Sequence, residues 1–314
     1  AGSLDAFSGK DSFGIKAKLL SRFLDKGLNL ISDVILNPSF DESEFEKKKK
    51  DMFLAIKNQD DELTHLVSNL FNQILYQKHP YSRDVLGTKE SIGSIKKEDL
   101  SEFYKKFAVP ENLVFAVVGD VNSGDISVKV ENAFKNLKKG TFSVPEISKP
   151  LLPETNKSST IYREKKQAHI LFGFLGVDNH GPDRYALEVL SNVLSGQGGR
   201  LFMELRDKQS LAYSVTSINQ SRMDKGFLAA YIGTSPEKMD KAIEGIKNEL
   251  IKITQEKVGD EELERTKKSM IGNFEIGLQK RGALASEIAF SERYGLGFDS
   301  YKKYAGNISA VTSE

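Results

Sequence analysis

The stretch on which the reading turns is "GGRLFMELRDKQSLAYSV", Gly198 to Val215. Two glycines open it, and then Leu201, Phe202 and Leu205 recur at the spacing of an amphipathic helix. Arg206 falls in the last turn of that helix, where a cation suits the dipole. After the break at "KQS", Leu211, Tyr213 and Val215 alternate as strand residues do, which predicts that they share one face. Two readings of the arginine and tyrosine follow. Either Arg206 caps its helix and Tyr213 fills the core, or the pair is held for chemistry.

Outward from this junction, "STIYRE", "QAHILFGFLG", "LAYSVTSIN" and "GFLAAYIGT" read as strands, with helices in consecutive pairs between them. The simplest layering is α+β, an antiparallel sheet with helices on one face. The pattern occurs twice. "DKGLNLISDVI" and "FDESEFEKKKKDM", from Asp25 to Met52, match "DKAIEGIKNEL" and "VGDEELERTKKSM", from Asp240 to Met270, at an offset of 215 to 218 residues. "SIGSIKKED" and "NISAVTSE" repeat the offset, Glu98 against Glu314.

Two homologous domains are therefore expected, 1–140 and 158–314, joined by a linker over 141–157 where Pro145, Pro150 and Pro153 interrupt both periodicities. The same period implies truncation at both ends. The first unit lacks the counterpart of the strands that open the second. The second lacks the helix "LSEFYKKFA" and the strand "NLVFAVVGDV" that close the first.

A length of 314 residues suits two cores. Lys and Arg total 45 against 44 Asp and Glu, so no net field draws the chain to nucleic acid. There is no cysteine, which removes disulfides, thiolate zinc sites and cysteine nucleophiles. No apolar run of about 18 residues offers a transmembrane segment. An exported, extracytoplasmic bacterial location is favoured over a cytoplasmic one.

The four histidines, His65, His79, His169 and His180, include no pair at i, i+3 or i, i+4. No helix therefore offers two imidazoles to one metal ion. A G-x-S-x-G elbow, a phosphate loop and a dinucleotide glycine pattern are all missing. "SGQGGR" follows a helix, so it reads as a C-cap and connection. By itself the chain carries no catalytic constellation.

"GGRLFMELRDKQSLAYSV" closely resembles the signature of the insulinase, pitrilysin and mitochondrial processing peptidase family. The resemblance extends to "GSLDAFSGKDSFGIKAKLL", "ISDVILNPSFDESEFEKKKKDM" and "HPYSRDVLGTKESIGSIKKEDLSEFYKKFAVPENLVFAVVGDV". It implies the α+β fold of processing-peptidase-like and LuxS-like metallohydrolases. It also implies cleavage of peptides by zinc held on an inverted H-x-x-E-H helix and a distant glutamate. The repeat offset places that helix ahead of Ala1. The distant glutamate corresponds to Ala55, and the acid before it to Lys48. Neither side chain can bind zinc, and Glu44 and Glu46 lie more than two helical turns away from position 55.

The resemblance thus implies the inactive subunit or half of a zinc metallopeptidase. It carries no metal, and it lends Arg206 and Tyr213 as catalytic and substrate-binding groups to a homologous partner that carries H-x-x-E-H and the zinc. Tyr213 would donate to the scissile carbonyl or its oxyanion, and Arg206 would hold substrate backbone or the tyrosine. Peptides or unfolded polypeptides are the implied substrates. A structural core subunit, and a trimmed but complete zinc peptidase, are the alternatives.

Overall fold

The computed structural model describes residues 2–59, 61–140 and 146–314. Ala1, at the head of the first expected strand, and residues 141–145 of the expected linker, Pro145 included, lie outside the described residues.

In the second half, β3 (Ala168–Leu175), β4 (Ser214–Gln220) and β5 (Phe227–Thr234) form an antiparallel sheet in the order β3-β5-β4. In register, Gly233 of β5 lies between His169 and Ser214. The central strand is buried along almost its whole length, which accounts for its nearly unbroken apolar run "FLAAYIG". A strand covered on both faces has no polar side to alternate with.

The helices, in chain order, are α1 (Leu24–Leu36), α2 (Glu42–Gln59), α3 (Leu63–Tyr76), α4 (Lys89–Ser94), α5 (Lys97–Phe107) and α6 (Ser123–Phe134) in the first half. The second half adds α7 (Arg184–Leu194), α8 (Met239–Gln255), α9 (Asp260–Leu278), α10 (Arg281–Arg293) and α11 (Tyr304–Ser309). α1, α2 and α3 begin 215, 218 and 218 residues before α8, α9 and α10, in keeping with the offset read from the sequence.

One face of the second sheet packs Val215, Ala230 and Ile232 against Leu194, Leu201, Leu205, Ala242 and Ile246. The close approach of α8 depends on Gly245, where a Cβ would meet Leu205 Cδ2 at 2.5 Å. α3 from the first half covers the opposite face, setting Leu75 and Tyr76, with Tyr81 from the turn that follows, against Phe227 and Ala229. A third cluster seats α7, α9 and α11 on one another through Val189, Leu263, Met270 and Ile308.

In the first half, β1 (Ser3–Ser8) and β2 (Phe13–Lys18) make an antiparallel hairpin. Two expected strands form no ladder among the described residues: 113–118, "LVFAVV", and 159–164, "STIYRE". Their residue types suit a pleated surface, but a strand exists only where a neighbour supplies the hydrogen bonds. Ile161 and Tyr162 are accordingly exposed.

Residues 76–81 tie the halves together, and the tip of the first hairpin lies against them. Tyr81 Oη donates to Asp11 at 2.7 Å, Tyr76 Oη donates to the Lys225 carbonyl at 3.1 Å, and His79 Nε2 meets Asp224 at 3.0 Å. Arg222, almost fully buried, lies over the Tyr81 ring at 4.7 Å. Lys10 donates to the Arg83 carbonyl at 2.7 Å.

Burial first, and then the Arg222 charge, lower the Lys10 ammonium from 10.5 to about 8. Between those values the unfolded chain holds this proton more firmly than the folded one, so the group adds stability as pH rises through the window. The stability of the wild type relative to Lys10→Met, followed by denaturant titration, is expected to rise from about pH 8 to 10.5. A flat difference contradicts this account of the junction.

Candidate functional site

The junction between α7 and β4 is built on a turn that only glycine can make. Gly196 has φ +78°, and a Cβ on Gly199 would sit 2.0 Å from the Ser195 carbonyl oxygen. Arg200 follows and meets Glu262 of α9. Leu201 and Leu205 are then fully buried beneath β5 and α8.

The segment expected as α-helix is a π-helix over Phe202–Lys208. Gln209 N–H reaches back five residues to the Glu204 carbonyl at 3.1 Å, and Leu211 N–H reaches Leu205 at 2.7 Å. The widened turn keeps both leucines in the core while the chain swings into the sheet. Such π-turns are concentrated at functional sites. Ser210, at φ +52°, ends the turn in a left-handed conformation uncommon for a residue with a side chain.

Tyr213 does not share a buried face with Leu211 and Val215 as the alternation predicts. Leu211 and Val215 are buried, whereas Tyr213 is 58% exposed. β4 begins only at Ser214, so strand alternation does not yet govern 211–213. The backbone there is fixed all the same. Tyr213 N–H donates to Gly233 at 2.8 Å, and Thr234 Oγ1 donates to the Leu211 carbonyl at 2.5 Å. A rigid backbone thus presents a solvent-facing phenol.

Arg206 does not cap its helix. Its guanidinium lies over the Phe202 ring at 4.7 Å, and among the described residues it makes no hydrogen bond or ion pair. The acid two residues before it is occupied: Lys208 and Gln209 donate to the Glu204 carboxylate at 2.9 and 3.0 Å. The Lys208 contact is the larger of the two that hold this carboxyl below its ordinary range. Arg206 therefore keeps its donors open on an aromatic platform, an arrangement suited to carboxylate or carbonyl oxygens.

The four histidines are dispersed. His65 pairs with Asp84 at 2.9 Å, His79 with Asp224, His169 with Tyr231 Oη at 2.8 Å, and His180 with the Tyr294 carbonyl at 2.8 Å. Burial lowers the His169 pKa. Among the described residues no three His, Cys, Asp or Glu side chains gather as a metal-ligand set. Lys48 and Ala55 both lie on α2, and neither offers a donor atom to a cation there. The donor set of α2 does not fit zinc at that position. No helix among the described residues is long and apolar enough to cross a membrane.

Two features lay outside the sequence reading. The Arg200–Glu262 fork joins residues 62 apart in the chain, and the aromatic nest of Arg222 brings together Tyr76, Tyr81 and Phe227. Arg200 shows in the sequence only as an arginine before an apolar pair, and Arg222 only as one between Ser221 and Met223, signals too common to single out.

Comparison with known proteins places this geometry in context. Residues 94–270 match the family model described as the peptidase M16 inactive domain, and residues 1–89 match that of insulinase, peptidase family M16. An uncharacterized zinc protease of Bacillus subtilis, YmxG, is 30% identical over 287 residues, covering 91% of this chain and 69% of that protein. One from Rickettsia felis is 29% identical over 308 residues, 96% of this chain and 71% of the relative. Among solved structures, a peptidase M16 inactive domain from Pseudomonas fluorescens superposes with a TM-score of 0.90 at 21% identity, over 99% of this chain and 75% of that one. A chain of complex III from Candida albicans superposes at 0.85 and 18% identity, over 99% and 76%.

The two neighbouring glycines separate backbone crowding from mere flexibility. Gly199→Ala is expected to destabilise the protein by about 1–3 kcal/mol through its clash with the Ser195 carbonyl. Gly198→Ala, which meets nothing within 4 Å, is expected to stay within about 0.5 kcal/mol of wild type. Equal effects in thermal denaturation would remove the turn from this account.

Proposed function

The chain belongs to the insulinase family of peptidases, M16, and we propose that it acts as that family's non-catalytic half, lending Arg206 and Tyr213 to a zinc site carried by a homologous partner. The observation that carries this reading is the contrast between backbone and side chain at the junction. Leu201, Leu205 and Leu211 are buried and the backbone is hydrogen-bonded into the sheet, yet Tyr213 is exposed and, among the described residues, the Arg206 guanidinium has only the Phe202 ring as company. A core-filling tyrosine or a capping arginine has no need of that geometry.

In this role the Tyr213 phenol donates a hydrogen bond to the carbonyl oxygen of the peptide bond under attack, where negative charge develops. The Arg206 guanidinium engages the neighbouring peptide carbonyls. Zinc on the partner supplies the activated water. Position 55 bears alanine and position 48 bears lysine, in keeping with a chain that leaves metal binding to its partner. An extended or unfolded peptide, held in part through backbone hydrogen bonds, is the substrate this arrangement suits. The two units, 1–140 and 158–314, would form one wall of the enclosure around it.

A second reading is favoured by the names of the relatives, which are called zinc proteases. Under it, the chain is part of a complete zinc peptidase whose metal glutamate stands somewhere other than position 55. Stoichiometric, chelator-sensitive zinc in the full-length polypeptide alone would establish that reading.

Tyr213→Phe, in the full-length protein combined with its zinc-bearing half, is expected to lower kcat by about 10²-fold, the cost of one preorganised oxyanion donor. The melting temperature should not move, because the lost hydroxyl has no hydrogen-bond partner among the described residues. Unchanged turnover would reject the half-site reading and leave a structural subunit in its place.

A further inference from the structure

Arg206 and Tyr213 hang on a segment that is moored at both ends, and the entry mooring has a chemistry of its own. Arg200 Nε donates to Glu262 Oε1 at 3.0 Å and to Oε2 at 3.3 Å, while a terminal guanidinium nitrogen donates to Oε2 at 2.6 Å. This fork-on-carboxylate contact fixes orientation as well as distance, which the point charge of a lysine cannot do. The two side chains are 21% and 23% exposed.

Glu262 stands in the first turn of α9, next to Leu263, which is buried with Met270 against Val189 and Val193 of α7. The carboxylate is therefore seated on a helix anchored in the core. At the exit of the segment, Lys238 Nζ donates to the Ser210 carbonyl at 2.8 Å. Between these ties runs the π-helix, seated on buried Leu201 and Leu205, with backbone hydrogen bonds that reach back five and six residues from Gln209 and Leu211. Phe202 begins it two residues after Arg200, and the Phe202 ring carries Arg206. A tilt at Arg200 is thus passed on to the guanidinium.

We propose that Arg200 and Glu262 are positioning residues for the Arg206/Tyr213 site, setting the rotation of the π-helix so that both side chains reach one substrate. This rests on the half-site reading above. A fork-on-carboxylate pair at this partial burial contributes to folding as well as to orientation, and displacement of a reacting group by an ångström costs much in rate.

The test is a double-mutant cycle in the full-length protein combined with its zinc-bearing half, with kcat, KM and melting temperature measured on an unstructured fluorogenic peptide. Arg200→Lys, which keeps the charge and loses the fork, is expected to lower kcat about 10-fold with little change in KM. Glu262→Gln should do the same. On a background that combines Arg206→Ala with Tyr213→Phe, either change should cost no more than about 2-fold, since the groups being positioned have already been disabled. Wild-type kcat in both variants, equal losses on both backgrounds, or unfolding of both variants would each overturn the assignment. In the last case the pair serves the fold alone. Failure of the half-site reading shows separately, as a Tyr213→Phe protein with unchanged turnover.

Discussion

The burial of Leu201 and Leu205 is the constraint on which the rest of the second half depends. Both side chains are fully enclosed, and they lie where β5, α8 and the end of α7 converge. Placing the pair there dictates the tight glycine turn before them, the closeness of α8 at Gly245, and a turn wide enough to let the chain re-enter the sheet at Ser214. Residues on the outer side of that turn then have no core to enter. Arg206 and Tyr213 are surface groups because their neighbours are not.

The same sheet couples the two halves of the chain. Its inner face belongs to α7, α8 and the π-helix, and its outer face is roofed by α3 from the first half. The junction continues through Tyr76, His79 and Tyr81 into the loop 222–225, with the tip of the β1–β2 hairpin laid across it. Polar contacts that cross such a boundary fix geometry more than they add stability, because each one exchanges water for protein partners. A partner half would therefore meet a surface whose two parts are already set against each other.

Much of this was legible in the residues. The pairing of helices, the repeat offset that recurs in the starts of α1 to α3 and α8 to α10, and the strands "HILFGFLG" and "GFLAAYIGT" follow from periodicity, which reports burial directly. The parts that escaped depend on partners distant in sequence. "LVFAVV" has the residue types of a strand, but no neighbour among the described residues gives it a ladder. The alternation Leu211, Tyr213, Val215 points to a shared face, but the left-handed Ser210 and a ladder that starts late turn Tyr213 outward. Arg206 was legible as a cation near a helix end. Its platform on Phe202 was not, because that contact depends on the π-turn.

Family membership and the α+β fold are shared with the relatives, while the division of labour is the claim particular to this chain. Zinc content and peptide cleavage of the full-length polypeptide, measured alone and then mixed with a relative that carries H-x-x-E-H, test that claim most directly. The account predicts a polypeptide that is metal-free and inactive alone and that raises its partner's turnover on mixing. Stoichiometric zinc and cleavage by the polypeptide alone would contradict it.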